Sequence, residues 1–320
     1  MESNHSQMVS LIWNIADDVL RDVFLRGQYR DVILPMVVLR RLDALLEPTK
    51  EEVEEEIKEN GGADDIDEGI LTDITGLSYF NTSKWTLNRL KSQATDNNDI
   101  LYSNFVEYLN GYSENVRDVL KNFEYYNKAK KLADNDRLLS MIERITDPRI
   151  NLTDKDTTDP DGLILPALTN IGMGTIFEEL LRRFNEENNE EAGEHFTPRD
   201  AILLLAHLIF EPVKEDLPKI ISLYDPACGS GGMLTEGRDY LLSIGVKSNA
   251  IQLAGTEINP ETYAICKSDL IIKGVDPSGI FHGNTITGKE LSEGQQEKSV
   301  LFSNGETFGY MLTNPPYGKS

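Results

Sequence analysis

Asp225-Pro-Ala-Cys-Gly-Ser-Gly-Gly232 is the stretch on which the fold turns. The apolar run 220–224 precedes it and a helical pattern over 232–244 follows, so it reads as a strand-to-helix turn. Gly229, Ser230, Gly231 and Gly232 give up helix propensity at a helix start, with no side chain to pack in return. Such a turn lets the backbone approach a ligand and offers it the unpaired N–H groups of the helix start. The spacing of a dinucleotide fingerprint, G-x-G-x-x-G, is absent, and the acidic residue opens the turn. A ligand-free tight turn is the alternative. Outward from this point, runs at 253–258, 280–282 and 310–313 also read as strands, and 260–273 as a helix. Strand–helix–strand alternation predicts an α/β fold with a parallel sheet covered by helices.

Three further strand ends carry polar groups of a particular kind. Glu257 closes the second run, where a carboxylate can accept both hydroxyls of a ribose; Asn259-Pro260 then caps the next helix. Asn284 follows the third run, as a hydrogen-bond partner for a base or as a simple turn asparagine. The fourth run delivers Asn314-Pro-Pro-Tyr317. Two prolines stiffen the backbone and supply no N–H. The Asn314 amide oxygen and the Pro315 carbonyl can then both accept from a planar exocyclic amine, drawing its nitrogen toward tetrahedral geometry and freeing the lone pair. Tyr317 offers a face for an extruded base.

The first 150 residues read differently. Met8, Leu11, Ile12, Ile15, Val19, Leu20 and Phe24 recur every three or four positions, a buried helical stripe. Further amphipathic stretches predict an all-helical domain over 1–150, in which 51–59 (EEVEEEIKE) is a solvated acidic face. Asp, Thr and Pro dominate the stretch up to about 165, so 151–170 is expected to be a linker, leaving 171–320 as a second domain. Within that domain Thr197-Pro198 reads as an N-cap and first-turn proline for the helix over 201–210.

Composition narrows the function classes. No apolar run is long enough to span a membrane, and the N-terminal residues lack a signal-peptide pattern. Two cysteines cannot build a disulfide framework, and with no nearby His pair they argue against a structural zinc site, so a reducing cytoplasm and no metal are expected. Lys+Arg 31 against Asp+Glu 54 gives a net charge of −23, the wrong sign for gripping DNA unaided.

Taken in order, Asp225–Gly232, Glu257, Asn284 and Asn314-Pro-Pro-Tyr317 resemble the motifs of adenine amino-methyltransferases that use S-adenosylmethionine. Gly193-Glu-His-Phe-Thr-Pro198 is similar to the segment that closes over the cofactor in the modification subunit of type I restriction–modification systems. Arg26-Gly-Gln-Tyr-Arg-Asp31 and Leu39-Arg-Arg-Leu-Asp43 resemble that family's helical N-terminal domain, so the likeness covers nearly the whole chain. The resemblance implies a Rossmann-like methyltransferase sheet and transfer of a methyl group to the N6 amine of a flipped adenine in DNA. It implies a cofactor site of Asp225, Pro226, Ala227, Gly229, Ser230, Gly231, Gly232, Glu257 and Asn284. Glu194, His195, Phe196, Thr197, Pro198 and Arg199 close over it, Asp225 facing the cofactor's ammonium. Asn314, Pro315, Pro316 and Tyr317 are the implied catalytic residues. The family more often carries Asp where Asn284 stands. The implied partners are a specificity subunit that reads DNA, a restriction subunit and a second modification subunit, which makes the acidic charge tolerable. The family's fold continues beyond the fourth strand, so the catalytic domain is expected to be incomplete at Ser320. A single-chain adenine methyltransferase, a protein-glutamine methyltransferase and a non-catalytic cofactor-binding scaffold remain as alternatives.

Overall fold

A computed structural model describes residues 2–63, 66–95, 97–187, 197–287, 289–290 and 307–315. The chain forms two compact units, Met1–Asn189 with Ile272–Gly274, and Glu190–Ile271 with Val275–Ser320.

The first unit is helical: α1 (Glu2–Leu20), α2 (Arg30–Leu46), α3 (Lys50–Glu59), α4 (Glu68–Thr75), α5 (Leu87–Ser92), α6 (Asn98–Asn110), α7 (Glu114–Asn122), α8 (Tyr125–Asp134), α9 (Leu138–Ile145) and α10 (Asn170–Glu187). The predicted stripe of α1 is its core face, with Ile12, Ile15, Val19 and Leu20 buried. Helix α2 is buried on nearly all sides, burying Asp31, Arg40, Arg41 and Asp43 along with its apolar residues. The acidic run lies on α3, which turns Glu51, Glu52 and Glu55 to solvent and buries Val53.

Residues 151–170, expected as a linker, are built into this unit. They form an antiparallel hairpin of β1 (Thr157–Thr158) and β2 (Ile164–Leu165). Asn151 is buried, and its amide donates to the carbonyls of Lys155, Leu165 and Pro166. Buried Arg41 donates to the Leu152 carbonyl at 2.7 Å and to the Asn170 side chain at 2.9 Å. A polar segment can therefore be fixed by hydrogen bonds where periodicity offers no signal. Helix α10, placed at the head of the second domain from sequence, also packs here, with the Phe184 ring centroid 4.7 Å from that of Trp13.

The second unit is the parallel α/β domain. Its elements are α11 (Arg199–Phe210), β3 (Ile221–Asp225), α12 (Gly232–Ser243), β4 (Ile251–Glu257), α13 (Pro260–Ile272), β5 (Ile280–Asn284), β6 (Lys289–Glu290) and β7 (Tyr310–Met311). The described strands lie in the order β6-β5-β4-β3-β7. β3 pairs in parallel with β4 and β7, β4 with β5, and β6 is antiparallel to β5. The first strand starts one residue later than predicted because Ile220 is exposed, and it ends on buried Asp225. Ile221, Leu223, Leu234, Leu241, Leu253, Cys266, Leu270, Ile280 and Leu312 form the core between sheet and helices. The chain runs outward from β3 to β4 and β5, then returns to the other side of β3. That reversal is the switch point where open α/β sheets bind ligands. Among the described residues no helix is long and apolar enough to cross a membrane.

Candidate functional site

Asp225, Glu257 and Asn284 end three adjacent parallel strands, and Asn314 follows the fourth. Residues far apart in sequence therefore share one edge of the sheet.

Asp225 is 1% exposed and accepts the Ala227 N–H at 3.0 Å. Burial, aided by the negative charge of Glu257, lifts its carboxyl to about 6 against the pull of the Thr313 hydroxyl and the Ala227 N–H. A buried carboxyl so poised is a counter-charge for a ligand cation.

The glycine turn is held from both sides. The Cys228 N–H donates to the Thr256 carbonyl on β4 at 3.1 Å, and the Gly231 N–H closes onto the Cys228 carbonyl at 2.8 Å. Gly231 has φ +89°, and a Cβ there would lie 2.7 Å from the Cys266 sulfur on α13. Conformation and space both demand glycine. The Leu234 and Thr235 N–H groups close onto the Gly231 carbonyl, so those of Gly232 and Met233 at the start of α12 are the donors a ligand would use.

Glu257 binds this turn before any ligand arrives. Its Oε2 accepts the Gly229 N–H at 2.9 Å and its Oε1 accepts the Asn259 N–H at 2.8 Å. Each carboxylate oxygen retains a lone pair for a further donor. Asn259 caps α13 as expected, its Oδ1 accepting the Thr262 N–H at 3.0 Å. Asn284 is engaged in a turn: its Oδ1 accepts the N–H groups of Ile286 and Thr287 at 3.0 and 3.2 Å. What it can turn to a ligand is the Nδ2 amine, a donor.

Thr197 does not cap its helix. Pro198, at φ −53° and ψ 132°, occupies the N-cap position, α11 begins at Arg199, and the Pro198 carbonyl accepts the Ile202 N–H. The Thr197 hydroxyl instead accepts from Asn314 Nδ2 at 3.1 Å, across 117 residues of chain. Arg199 reaches buried Glu236 on α12, Nε to Oε1 2.8 Å. Pro315 is exposed, and Pro226, Ala227, Ser230 and Gly232 lie in or at the end of the glycine turn. Glu194, His195, Phe196, Pro316 and Tyr317 lie outside the described residues.

Three supporting residues escaped the sequence reading. Thr285 donates its hydroxyl to the Pro226 carbonyl, tying the end of β5 to the glycine turn. Glu236 anchors Arg199, and Cys266 sets the space under Gly231. Only the position of Thr285 directly after Asn284 hinted at a role.

Residues 8–145 match the family described as the HsdM N-terminal domain, and residues 170–320 match the family described as N-6 DNA Methylase. The chain belongs to the modification-subunit family of type I restriction–modification systems. Within it, this modification-subunit chain is 30% identical over 171 residues to the MpnII methylase subunit of Mycoplasma pneumoniae, covering 53% of the chain and 29% of that protein. It is 23% identical to the MjaIX methylase subunit of Methanocaldococcus jannaschii, over 97% of the chain and 50% of the relative. The modification-subunit chain thus spans half or less of the length of these two curated relatives. The solved methyltransferase subunit of the Streptococcus thermophilus type I system shares its fold. The TM-score is 0.65 at 22% identity, over 98% of this chain and 64% of that one.

Proposed function

We propose that this chain carries the catalytic part of a site-specific adenine N6 DNA methyltransferase, working in the cytoplasm inside a type I complex. The observation that supports it most is the strand order β5-β4-β3-β7, which gathers Asn284, Glu257, Asp225 and Asn314 at one sheet edge. Catalysis is assigned to the α/β unit, Glu190–Ile271 with Val275–Ser320, and the helical residues 1–150 form a separate domain, with α10 packed into the helical unit.

The donor set fits S-adenosylmethionine. Buried Asp225 suits an ammonium group, Glu257 retains acceptor capacity for a ribose diol, and the glycine turn lets backbone come close to a ligand. When bound, the cofactor supplies an electrophilic methylsulfonium. Asp225 would hold the cationic end, Glu257 would orient the sugar, and Asn284 would offer Nδ2 to the cofactor's adenine. Asn314 Oδ1 and the Pro315 carbonyl accept both hydrogens of the target amine, which raises the nucleophilicity of its nitrogen. By the motifs they resemble, Tyr317 is the candidate to stack on the flipped base and residues 194–199 are the candidate cover. Asn314 is the group on which transfer depends.

A net charge of −23 supports delegation of DNA reading to a specificity subunit, in a complex with a restriction subunit and two modification subunits.

Asp225 gives the reading a pH test. Its carboxyl titrates near 6 in the free site, and only the carboxylate attracts an ammonium. Affinity for S-adenosylmethionine, measured by calorimetry on this chain, should be full above about pH 7 and fall about tenfold one pH unit below the titration point. The sign for stability is the reverse. The folded state holds this proton more tightly than the unfolded chain, so the group costs stability as pH rises from about 4 to about 6. An affinity flat across this window would remove Asp225 from the cofactor site.

A further inference from the structure

We propose that Thr197 is a positioning residue for Asn314: its hydroxyl engages Nδ2 and restrains the carboxamide, leaving Oδ1 for the substrate amine. The inference rests on the methyltransferase reading of Asn314. The terminal torsion of an asparagine is broad and nearly two-fold, so an unheld amide exchanges its oxygen and its NH2 group at little cost. An NH2 turned toward a target amine would place donor against donor and cannot activate it. Asn314 Nδ2 is the end seated on Thr197 Oγ1, at 3.1 Å; a hydroxyl can donate as well as accept, so the bond restrains the carboxamide in place, and Oδ1 is the end it leaves over. Among the described residues Oδ1 has no hydrogen-bond donor and stays available.

Both ends of this bond are anchored. On one side the start of α11 is fastened to α12 by Arg199 and Glu236, and Ile202 packs against Gly232, where an added Cβ would sit 3.3 Å from it. On the other side β7 is locked to β3, the Leu312 N–H donating to the Tyr224 carbonyl at 3.1 Å with Leu312 buried in the core. The Thr197 hydroxyl has no capping duty, because Pro198 takes the N-cap position. A threonine expected to serve its own helix thus serves a residue on another strand.

The isosteric change Thr197→Val removes the acceptor and keeps the volume. With the full-length protein, its specificity subunit, unmethylated chromosomal DNA and S-adenosylmethionine, kcat should fall about three- to tenfold, the scale of one hydrogen bond. Because Thr197 also lies in the segment expected over the cofactor, the split decides: kcat should fall further than the KM for S-adenosylmethionine rises, and Thr197→Ser should restore kcat. A second readout needs neither cofactor nor DNA. In the 320-residue chain the Asn314 side-chain amide should give a resolved, slowly exchanging pair of 15N–1H signals. That pair should move to solvent-like shifts in Thr197→Val and persist in Thr197→Ser. The proposal is overturned by a wild-type kcat, by unchanged amide signals in Thr197→Val, or by a cofactor KM that rises as far as kcat falls. An active Asn314→Ala would instead remove the methyltransferase role of Asn314 itself, so the two failures are distinguishable.

Discussion

Asn314→Ala in the full-length protein should lower methyl transfer by roughly a thousandfold while leaving S-adenosylmethionine affinity nearly unchanged. The reason lies in where the side chain sits. Asn314 follows β7 and is held by Thr197, while Asp225 and Glu257 end the neighbouring strands that would hold the cofactor. Its oxygen would touch an amine whose nitrogen gains positive charge only as the new bond forms. An interaction that strengthens in the transition state appears in turnover rather than in ground-state binding. Asn314→Asp keeps an acceptor and should retain part of the activity. Single-turnover transfer of a tritiated methyl group, with calorimetry alongside, checks both halves. A proportional loss of cofactor binding would make Asn314 a cofactor ligand instead.

Glu257→Ala should have the largest effect on binding. The side chain already accepts two backbone N–H groups, from Gly229 at 2.9 Å and Asn259 at 2.8 Å, while its remaining lone pairs are free for a ribose. Its removal would delete charge-assisted bonds to the sugar and one of the two ties of the glycine turn to β4, the Cys228–Thr256 bond remaining. Hydrogen bonds to a charged group contribute about 1.5–3 kcal/mol, so S-adenosylmethionine should bind roughly ten to a hundredfold more weakly. Glu257→Gln should do little better, since one amide oxygen cannot serve both backbone donors and the NH2 would face one of them. Unchanged affinity in calorimetry would take Glu257 out of the site.

The α/β half was legible because its signals are local. A glycine turn between a strand and a helix, and polar residues at strand ends, can be read without knowing what lies across the sheet. The limits appear where a partner is distant in sequence. Thr197 looked like a helix cap because Thr-Pro before an apolar run usually is one; its real partner lies 117 residues away. Residues 151–170 looked like a linker because hydrogen bonds such as Arg41 to Leu152 leave no periodicity behind. Helix α10 carried a plain amphipathic pattern, but nothing local says that Phe184 meets Trp13. Asn284 could be read as turn residue or base ligand; its oxygen is committed to the turn, and only its amine remains for a base.

The central claim is that the target is the amine of adenine in DNA. The direct measurement is incorporation of a tritiated methyl group into unmethylated chromosomal DNA by the full-length protein with its specificity subunit, followed by digestion to nucleosides. The account predicts that the label co-elutes with N6-methyldeoxyadenosine and depends on the specificity subunit. Label in a cytosine derivative or in protein, or no transfer by a folded complex that binds S-adenosylmethionine, would contradict it.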